Sequence, residues 1–345
     1  MIIIMRANAT SSQIKEVTQQ VESYGATPHI SRGKERTIVG IIGDVQQINQ
    51  DAFRRMPFVD RVVRVSRPYK LASREFSAHN TVVPLDSVRF GSKPVVIIAG
   101  PCSVESRTQT LEIAHAIREA GATVLRGGAF KPRTSPYSFQ GLGEKGLEIL
   151  AEAREATGLA IVTEVLSPEQ IPLIMNYADM LQIGSRNMKN TPLLHAVGKS
   201  NHPVLLKRGM SATLDELLLA AEYILSHNNQ KVVLCERGIR TFSSSTRYTT
   251  DINAIPALKS QTHLPIILDP SHATGHWEYV SAIARAAIAA GADGLIIEVH
   301  HKPEAALSDG GQSLKPKRFA EMVEQVRAIA EAVGRSLETK QNYER

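Results

Sequence analysis

The chain is poor in cysteine and lacks long hydrophobic runs, and each shortage excludes a class of protein. Its 345 residues include only two cysteines, Cys102 and Cys235, too few for a disulfide framework and typical of a reducing compartment. No uninterrupted apolar stretch reaches about 18 residues, the length that a membrane span needs. The apolar opening, residues 1–5, is too short for the core of a signal peptide, and no charged segment precedes it. The sequence therefore predicts a cytoplasmic protein without a membrane partner.

Dense basic runs interleaved with aromatic residues are also missing, although the chain carries an excess of positive charge. Lysine and arginine number 40 against 34 aspartates and glutamates, and aromatic residues make up 5%. This pattern argues against a nucleic-acid partner, while the mild excess suits a pocket that holds phosphates or carboxylates. With 43% hydrophobic and 21% charged residues, the composition is that of a globular protein with a sizeable core. The length favours two domains.

The first 67 residues follow a pattern of their own. Short apolar strands accompany two helical segments, the first of which repeats Ile14, Val17 and Val21 at helical spacing and stops at Gly25. The order βαββαβ is typical of a ferredoxin-like arrangement, and we predict such a domain over residues 1–67. The predicted elements are strands 2–6, 26–30, 37–42 and 59–65 and helices 14–24 and 45–55.

A long alternation of strands and helices follows a predicted linker with a short hairpin at residues 68–92. Over residues 93–338 most strands are nearly continuous apolar runs, as expected of parallel strands covered on both faces. Eight units in about 240 residues predict an α/β fold, a (β/α)8 TIM barrel. A doubly wound open sheet also alternates, but it usually has fewer strands and a glycine-rich phosphate turn. The predicted strands are 95–99, 123–126, 160–163, 180–183, 204–207, 232–235, 266–268 and 294–298, with helices that include 108–119, 146–155, 214–225 and 280–290.

The C-terminal ends of these strands carry many cations. In a barrel the eight loops after the strands share one face, so these positions meet there. Because buried unpaired cations are costly, such a set indicates anionic ligands, phosphate or carboxylate, to which arginine can donate two parallel hydrogen bonds. Any one of them alone would more simply be an exposed surface residue. The set comprises Arg126, Lys131, Arg133, Arg186, Lys207 and Arg237.

A second set of strand-end residues combines a thiol, an imidazole and two carboxylates. The first and last strands of a closed barrel are neighbours, so these side chains could surround one cation. The mixture of soft and hard ligands favours a divalent transition metal such as manganese, iron, cobalt or zinc over magnesium. The set comprises Cys102, His272, Glu298 and Asp309.

Alternatives remain open for several of these residues. His300 and His301 follow the same strand as Glu298 and are rival ligands, and Cys102 taken alone would be a packed core thiol. Cys235 lies inside an apolar strand and is interpreted as a core residue. A regulatory disulfide between Cys102 and Cys235 is a further alternative.

Six motifs at the strand ends resemble those of one enzyme family, the 3-deoxy-D-arabino-heptulosonate 7-phosphate (DAHP) synthases of the short microbial type (type I beta) that carry an N-terminal ferredoxin-like domain. The resemblance covers essentially the whole chain. In order, the motifs are Gly100-Pro101-Cys102-Ser103, Lys131-Pro132-Arg133-Thr134-Ser135, Ile183-Gly184-Ser185-Arg186-Asn187, Cys235-Glu236-Arg237-Gly238, Asp269-Pro270-Ser271-His272 and Ala306-Leu307-Ser308-Asp309-Gly310.

The resemblance implies a metal-dependent condensation of phosphoenolpyruvate with erythrose 4-phosphate, the first step of the shikimate pathway towards chorismate and aromatic amino acids. It implies that the four candidate ligands above hold the metal, with manganese expected first. Arg133 and Thr134 are expected to bind the aldose phosphate, and Lys131 to donate a proton to the developing alkoxide. The phosphoenolpyruvate carboxylate and phosphate are expected to be bound by Arg126, Lys131, Ser185, Arg186, Lys207 and Arg237.

The family also implies regulation and assembly. Its ferredoxin-like domains resemble amino-acid-binding modules, which predicts feedback by an aromatic amino acid or a pathway intermediate, and the family implies a homotetramer. An N-terminal domain that only helps assembly is the alternative. Tyr248 stands where the family usually has asparagine, and His276-Trp277 where a basic pair is common. The family's loop closure and subunit contacts therefore do not carry over at these points, whereas the core reaction is expected to be the same.

Two rival functions remain. The sister enzyme, which makes 3-deoxy-D-manno-octulosonate 8-phosphate from arabinose 5-phosphate, shares the barrel but generally carries an asparagine-bearing loop in place of residues 131–135 and has no βαββαβ domain. A catalytically silent barrel that senses phosphoenolpyruvate is the other. The sequence contains both the cation set and the candidate metal set, which favours a working enzyme over a silent sensor.

Overall fold

The computed structural model describes residues 1–33, 36–43, 48–63, 68–133 and 135–337. The chain divides into two compact units. The N-terminal unit consists of Met1–His79 together with Gln261–His263, and the barrel unit holds the rest of the described chain from Asn80 onwards. The domain boundaries drawn from the sequence at residues 67 and 92 stay a prediction.

The N-terminal unit is a four-stranded antiparallel sheet with helices against one face. In this sheet the first strand lies between the third and the fourth, and the second pairs with the outer side of the third. The residues on the helix-facing side, such as Ile3, Val39 and Val62, share one core with Val17 and Phe53. The predicted ferredoxin-like βαββαβ order is confirmed. The elements are β1 (Ile2–Met5), α1 (Ser11–Ser23), β2 (Thr27–Arg32), β3 (Thr37–Ile42), α2 (Gln50–Arg54) and β4 (Val59–Val63).

Two predicted segments of this unit extend beyond the described residues. The helix predicted over 45–55 is described only from residue 48 onwards, and there it begins at Gln50. The strand predicted over 59–65 is observed as Val59–Val63, and residues 64 and 65 lie outside the described residues. Helix α1 begins where Thr10 accepts a hydrogen bond from the backbone N–H of Gln13, and the Gln13 side chain accepts one from the Thr10 N–H. This reciprocal cap satisfies two N–H groups that the first turn leaves unpaired.

The barrel unit closes a parallel sheet of eight strands, as predicted. The eight strands pair in chain order, and the last pairs back onto the first with Glu298 opposite Gly100. A short strand near the end of the described chain pairs in parallel with the first two residues of the first barrel strand, Pro94 and Val95. The strands are β5 (Val83–Leu85), β6 (Val88–Phe90), β7 (Pro94–Gly100), β8 (Val124–Arg126), β9 (Ala160–Glu164), β10 (Met180–Ile183), β11 (Val204–Lys207), β12 (Val232–Glu236), β13 (Ile266–Leu268), β14 (Gly294–Glu298) and β15 (Ser336–Leu337).

Helices follow the strands and cover the outside of the barrel. Side chains cap several of them, since Ser106 accepts a hydrogen bond from Gln109 N and Thr213 accepts one from Glu216 N. In the described part of the chain no helix combines the length and apolar character needed to cross a bilayer. The helices are α3 (Arg107–Glu119), α4 (Glu144–Thr157), α5 (Ile171–Met175), α6 (Thr191–Lys199), α7 (Leu214–Leu225), α8 (Ala254–Gln261), α9 (Pro270–Thr274), α10 (Trp277–Ala289) and α11 (Pro316–Ala332).

The predicted hairpin forms from β5 and β6, which pair antiparallel around a turn where Asp86 has a φ of 50°. Its four alternating apolar side chains, among them Leu85 and Phe90, are buried in the same core as interior barrel residues such as Val96 and Ile98. Many of these barrel residues come from the N-terminal halves of the strands. The hairpin thus packs towards the N-terminal end of the barrel and leaves the C-terminal face for the loops that carry the candidate site residues.

Candidate active site

A polar cavity of about 290 Å³ lies at the C-terminal ends of the barrel strands. All six cations predicted from the strand ends line it, together with Ser185 and the candidate metal ligands His272 and Asp309. The structure therefore brings together side chains that come from six strand ends of the barrel. The six cations are Arg126, Lys131, Arg133, Arg186, Lys207 and Arg237.

Two of these guanidinium groups are buried without their full set of partners. Arg126 and Arg237 are each 5% exposed. Arg126 Nη1 lies 2.9 Å from Glu298 Oε1 but lacks hydrogen-bond geometry, and Nε and Nη1 of Arg126 and Nη1 of Arg237 have no hydrogen-bond acceptor in the described structure. A buried donor without an acceptor costs about 1–3 kcal/mol, more for a charged group. The arrangement calls for an anion that supplies the missing acceptors.

Asp269 connects the cation set to the metal set. Its carboxylate pairs with the buried Lys207 ammonium and accepts hydrogen bonds from the backbone N–H and Nδ1 of His272, at 2.9 and 2.8 Å. Burial alone would raise the pKa of Asp269, but His272 and Lys207 outweigh it and lower that pKa well below its usual value. Because Nδ1 donates to this ionised carboxylate, Nε2 of a neutral His272 keeps its lone pair.

Three candidate metal ligands, Cys102, Glu298 and Asp309, place one ligand atom each within 4.8 Å of one another. The fourth, His272, joins them through Nε2, which lies 3.4 Å from Glu298 Oε1. Glu298 Oε2 accepts a hydrogen bond from Gln312 at 2.7 Å, whereas the buried Oε1 has no hydrogen-bond donor in the described residues. The cluster thus combines a thiol, an imidazole nitrogen and two carboxylates, and one carboxylate oxygen, Glu298 Oε1, lacks a hydrogen-bond donor in the described residues. Such a set of groups fits a divalent transition-metal ion.

Lys131 and the charges around Cys102 and Asp309 set the electrostatics of this cluster. Burial, and next the charge of Glu298, raise the pKa of the Cys102 thiol to about 11, so a metal that takes this sulfur must displace its proton. Lys131 Nζ lies 3.0 Å from that sulfur and donates to the Cys102 carbonyl at 2.8 Å. Burial would raise the pKa of Asp309, but His272 and the neighbouring cations lower it to about 2.

The rival ligands lie elsewhere. His300 and His301 stack on each other at 4.8 Å and do not line the cavity. Cys235 is fully buried in the barrel core, and burial raises the pKa of its thiol. Cys102 and Cys235 are both free thiols. Cys102 lies on the loop after β7 and Cys235 on β12, and two strands, β13 and β14, lie between these strands in the closed barrel. Thr134, predicted to bind the aldose phosphate, lies outside the described residues.

Sequence reasoning missed residues that contact the candidate metal ligands. Arg247 pairs with Asp309 Oδ1 at 3.1 Å and donates to Gln312 Oε1 at 2.9 Å. Neither Arg247 nor Gln312 directly follows a barrel strand, so no strand-end position marks them in the sequence. Tyr248, noted for its departure from the family pattern, lines the cavity, and the Arg237 guanidinium lies 4.1 Å from the centre of its ring. Trp277 instead begins α10, faces Arg318 and does not line the cavity.

A close approach explains one glycine of the motifs. A Cβ atom at Gly184 would come within 1.9 Å of Glu164 Oε1, so no larger residue fits between β10 and the end of β9 without moving that carboxylate. Glu164 and Gly184 both line the cavity. The glycine therefore sets how near the Ser185 turn can lie to the neighbouring strand end.

Comparison with known proteins matches this architecture. Residues 75–333 match the model of the DAHP synthetase I family, and residues 1–67 match that of the DAHP synthase ferredoxin-like domain. Phospho-2-dehydro-3-deoxyheptonate aldolase of Thermotoga maritima is 52% identical over 97% of this chain and 99% of its own length. The crystal structure of DAHP synthase from the same organism covers 98% of this chain and 99% of its own, with a TM-score of 0.79 and 50% identity.

A second relative is more distant. The 2-dehydro-3-deoxyphosphooctonate aldolase of Bradyrhizobium diazoefficiens is 34% identical over 72% of this chain and 94% of its own length. The ferredoxin-like match and the higher identity both separate the chain from this relative. By its barrel, its N-terminal unit and its sequence, the chain belongs to the DAHP synthetase I family.

Proposed function

We propose that the polar cavity is the active site of a DAHP synthase, in which phosphoenolpyruvate condenses with erythrose 4-phosphate and water to give DAHP and phosphate. The observation that carries the proposal is that partly unsatisfied buried arginines line one cavity with His272 and Asp309, and that Cys102 and Glu298 place ligand atoms within 4.8 Å of a ligand atom of Asp309. The arginines suit anionic substrates, and the cluster suits a Lewis-acidic metal. The family match supports the same reaction.

In this proposal the cations bind the two phosphorylated substrates. Phosphoenolpyruvate carries a carboxylate and a phosphate, which would fill the missing acceptors of Arg126 and Arg237. Arg133, whose Nη2 also lacks an acceptor in the described structure, and Thr134 would bind the aldose phosphate. Holding two anions side by side requires this density of cations, and the positioning itself supplies much of the rate. The remaining phosphoenolpyruvate contacts would come from Lys131, Ser185, Arg186 and Lys207.

Cys102, His272, Glu298 and Asp309 would hold the metal, with manganese expected first and iron, cobalt or zinc as alternatives. When bound, a divalent ion there supplies Lewis-acid polarisation of the aldehyde oxygen. The unprotonated Nε2 of His272 and the unsatisfied Oε1 of Glu298 are the donor atoms that the structure leaves ready for it.

The reaction then needs one new carbon–carbon bond and the loss of phosphate. The enol carbon of phosphoenolpyruvate attacks the aldehyde carbon, water adds to the neighbouring carbon, and phosphate leaves. The aldehyde oxygen gains negative charge in this step and needs a proton. Lys131 lines the cavity and its ammonium lies beside Cys102, so it is the side chain placed to donate that proton, directly or through a water.

Phosphoenolpyruvate consumption by chelator-treated protein tests the proposal. With Mn²⁺ restored, we expect phosphate release and loss of phosphoenolpyruvate in the presence of erythrose 4-phosphate, and neither without the metal. Arabinose 5-phosphate, offered separately, is expected to give no turnover. Turnover with the arabinose alone would identify the octulosonate reaction instead, and phosphoenolpyruvate binding without turnover would identify a sensor.

The N-terminal unit is proposed to regulate the barrel in response to an aromatic amino acid or a pathway intermediate. It has a hydrophobic core of its own, separate from that of the barrel, as an independently folding module does. We expect tyrosine or phenylalanine to inhibit the full-length enzyme, and a variant that lacks residues 1–67 to stay active without that inhibition. Steady-state rates of both proteins with each amino acid, chorismate and prephenate check this. A full-length enzyme insensitive to all four would leave the N-terminal unit a role in assembly only.

A homotetramer in the cytoplasm completes the proposal. Light scattering at several protein concentrations measures the subunit number directly.

A further inference from the structure

Behind the polar cavity, one carboxylate connects the chain segments that carry three of the candidate metal ligands. Glu105 lies three residues after Cys102, and its side chain is 12% exposed. Glu105 Oε1 accepts a hydrogen bond from the backbone N–H of Leu307 at 2.8 Å, two residues before Asp309. Glu105 Oε2 lies 3.5 Å from Nε2 of His300, two residues after Glu298.

The protonation of His300 follows from its other nitrogen. Nδ1 accepts a hydrogen bond from the backbone N–H of Lys302 at 3.0 Å, so the proton of a neutral imidazole is on Nε2. That N–H has no hydrogen-bond partner in the described structure, and the Glu105 carboxylate, 3.5 Å away, is the charged group it faces. His300 is only 3% exposed, so water cannot readily replace the carboxylate as its partner.

Further bonds fix the same segments to one another, so a shift at Glu105 is transmitted to the ligands. The His300 N–H donates to Leu314 O at 2.9 Å, and the Leu314 N–H donates to Glu298 O at 2.8 Å. The hydroxyls of Ser103 and Ser308, next to Cys102 and Asp309, hydrogen-bond each other. Neither Glu105 nor His300 lines the cavity, so neither is placed to touch a substrate.

We propose that Glu105 and His300 are a positioning pair, which holds the segments of Cys102, Glu298 and Asp309 at the separation that a divalent metal requires. This inference rests on the proposed metal site and adds to it residues that act through the ligands. Groups that are hydrogen-bonded directly to metal ligands typically contribute 10- to 100-fold to metal affinity. Glu105 and His300 act through the backbone of the ligand segments, so we expect an effect near the lower end of that range.

The test is the dissociation constant for Mn²⁺ of the full-length, chelator-treated protein, measured from the electron paramagnetic resonance signal of free Mn²⁺ during titration. Glu105→Ala is expected to raise the Kd by about 10-fold. Glu105→Gln is expected to raise it less, because its amide oxygen can still accept from the Leu307 N–H while its NH₂ faces the His300 N–H. Melting temperatures of the chelated proteins are recorded alongside.

Asp293→Asn is the matched control. Like Glu105, Asp293 is a largely buried carboxylate, 3% exposed, and it accepts a hydrogen bond from the backbone N–H of Ile266 at 2.8 Å. It precedes β14 and therefore lies at the opposite end of the barrel from the candidate metal ligands. We expect this variant to melt at a lower temperature and to keep the wild-type Kd.

The outcomes separate the inference from the proposed function. An unchanged Kd in Glu105→Ala, or an equal rise in Asp293→Asn, would overturn the positioning pair while the metal site stands. A wild-type protein that binds no Mn²⁺ at the site would overturn the metal site and the pair with it. If Glu105→Ala does not fold, Glu105→Gln decides, since it preserves the shape and one of the two contacts.

Discussion

Replacing Cys102 by alanine is expected to lower kcat/KM by roughly a thousandfold or more, equivalent to about 4 kcal/mol of transition-state stabilisation. The sulfur lies 3.3 Å from Asp309 Oδ2 and within the cluster that also holds Glu298, so its loss opens the ligand set on one side. Alanine also removes the contact between the sulfur and Lys131, the proposed proton donor. Steady-state rates with saturating Mn²⁺, together with the metal content of the purified protein, measure both effects.

Cys235→Ala is the matched control for this prediction. Both cysteines are buried, but Cys235 lies in the barrel core, where the substitution costs packing and leaves the cavity intact. We expect a modest loss of stability, a turnover number near that of the wild type and full metal content. A Cys102→Ala variant that retains wild-type turnover would remove this thiol from the metal site.

The barrel could be predicted from the sequence nearly strand by strand because its signal is local. Buried parallel strands are short apolar runs, and the predicted 180–183, 204–207, 266–268 and 294–298 coincide with β10, β11, β13 and β14 as observed. Helix α7 also begins and ends where predicted, since Thr213 and Glu216 form a capping box at its start. Helix α10 begins three residues earlier than predicted, at Trp277, because the apolar periodicity does not mark its first turn.

The site was predictable only where topology determines it. Residues at strand ends must meet on one face of a barrel, so the six cations and the four candidate metal ligands could be proposed without knowledge of any distance. The structure places the six cations around one cavity and brings Cys102, Glu298 and Asp309 close together. Arg247, Gln312 and Glu105 were not singled out, because what marks them is a set of contacts between segments far apart in the chain. The spacing of Asp269 three residues before His272 was visible in the sequence, but its pairing with Lys207 required the fold.

Asp269→Asn is expected to lower kcat/KM by about 100- to 1,000-fold and to destabilise the protein by about 3–5 kcal/mol, because it removes one partner from a buried ion pair. The carboxylate accepts hydrogen bonds from two nitrogens of His272 and pairs with Lys207, whereas an amide has only one accepting oxygen. If the NH₂ group takes the Oδ2 position, it faces the His272 Nδ1–H and the Lys207 ammonium. The imidazole can then accept at Nδ1 only by moving its proton to Nε2, the atom that would bind the metal.

If the NH₂ group instead takes the Oδ1 position, it faces the backbone N–H of His272, so either orientation leaves two donors in contact. Asp179→Asn provides the comparison, since Asp179 accepts the Ile161 N–H at 2.7 Å and pairs with Arg154 at 3.1 Å, at the other end of the barrel. We expect Asp179→Asn to lose stability but to keep its metal affinity and its kcat, whereas Asp269→Asn loses all three. Denaturant unfolding, Mn²⁺ titration and steady-state kinetics on both variants separate these effects. Wild-type metal affinity in a folded Asp269→Asn variant would mean that His272 binds the metal without help from this carboxylate, or does not bind it at all.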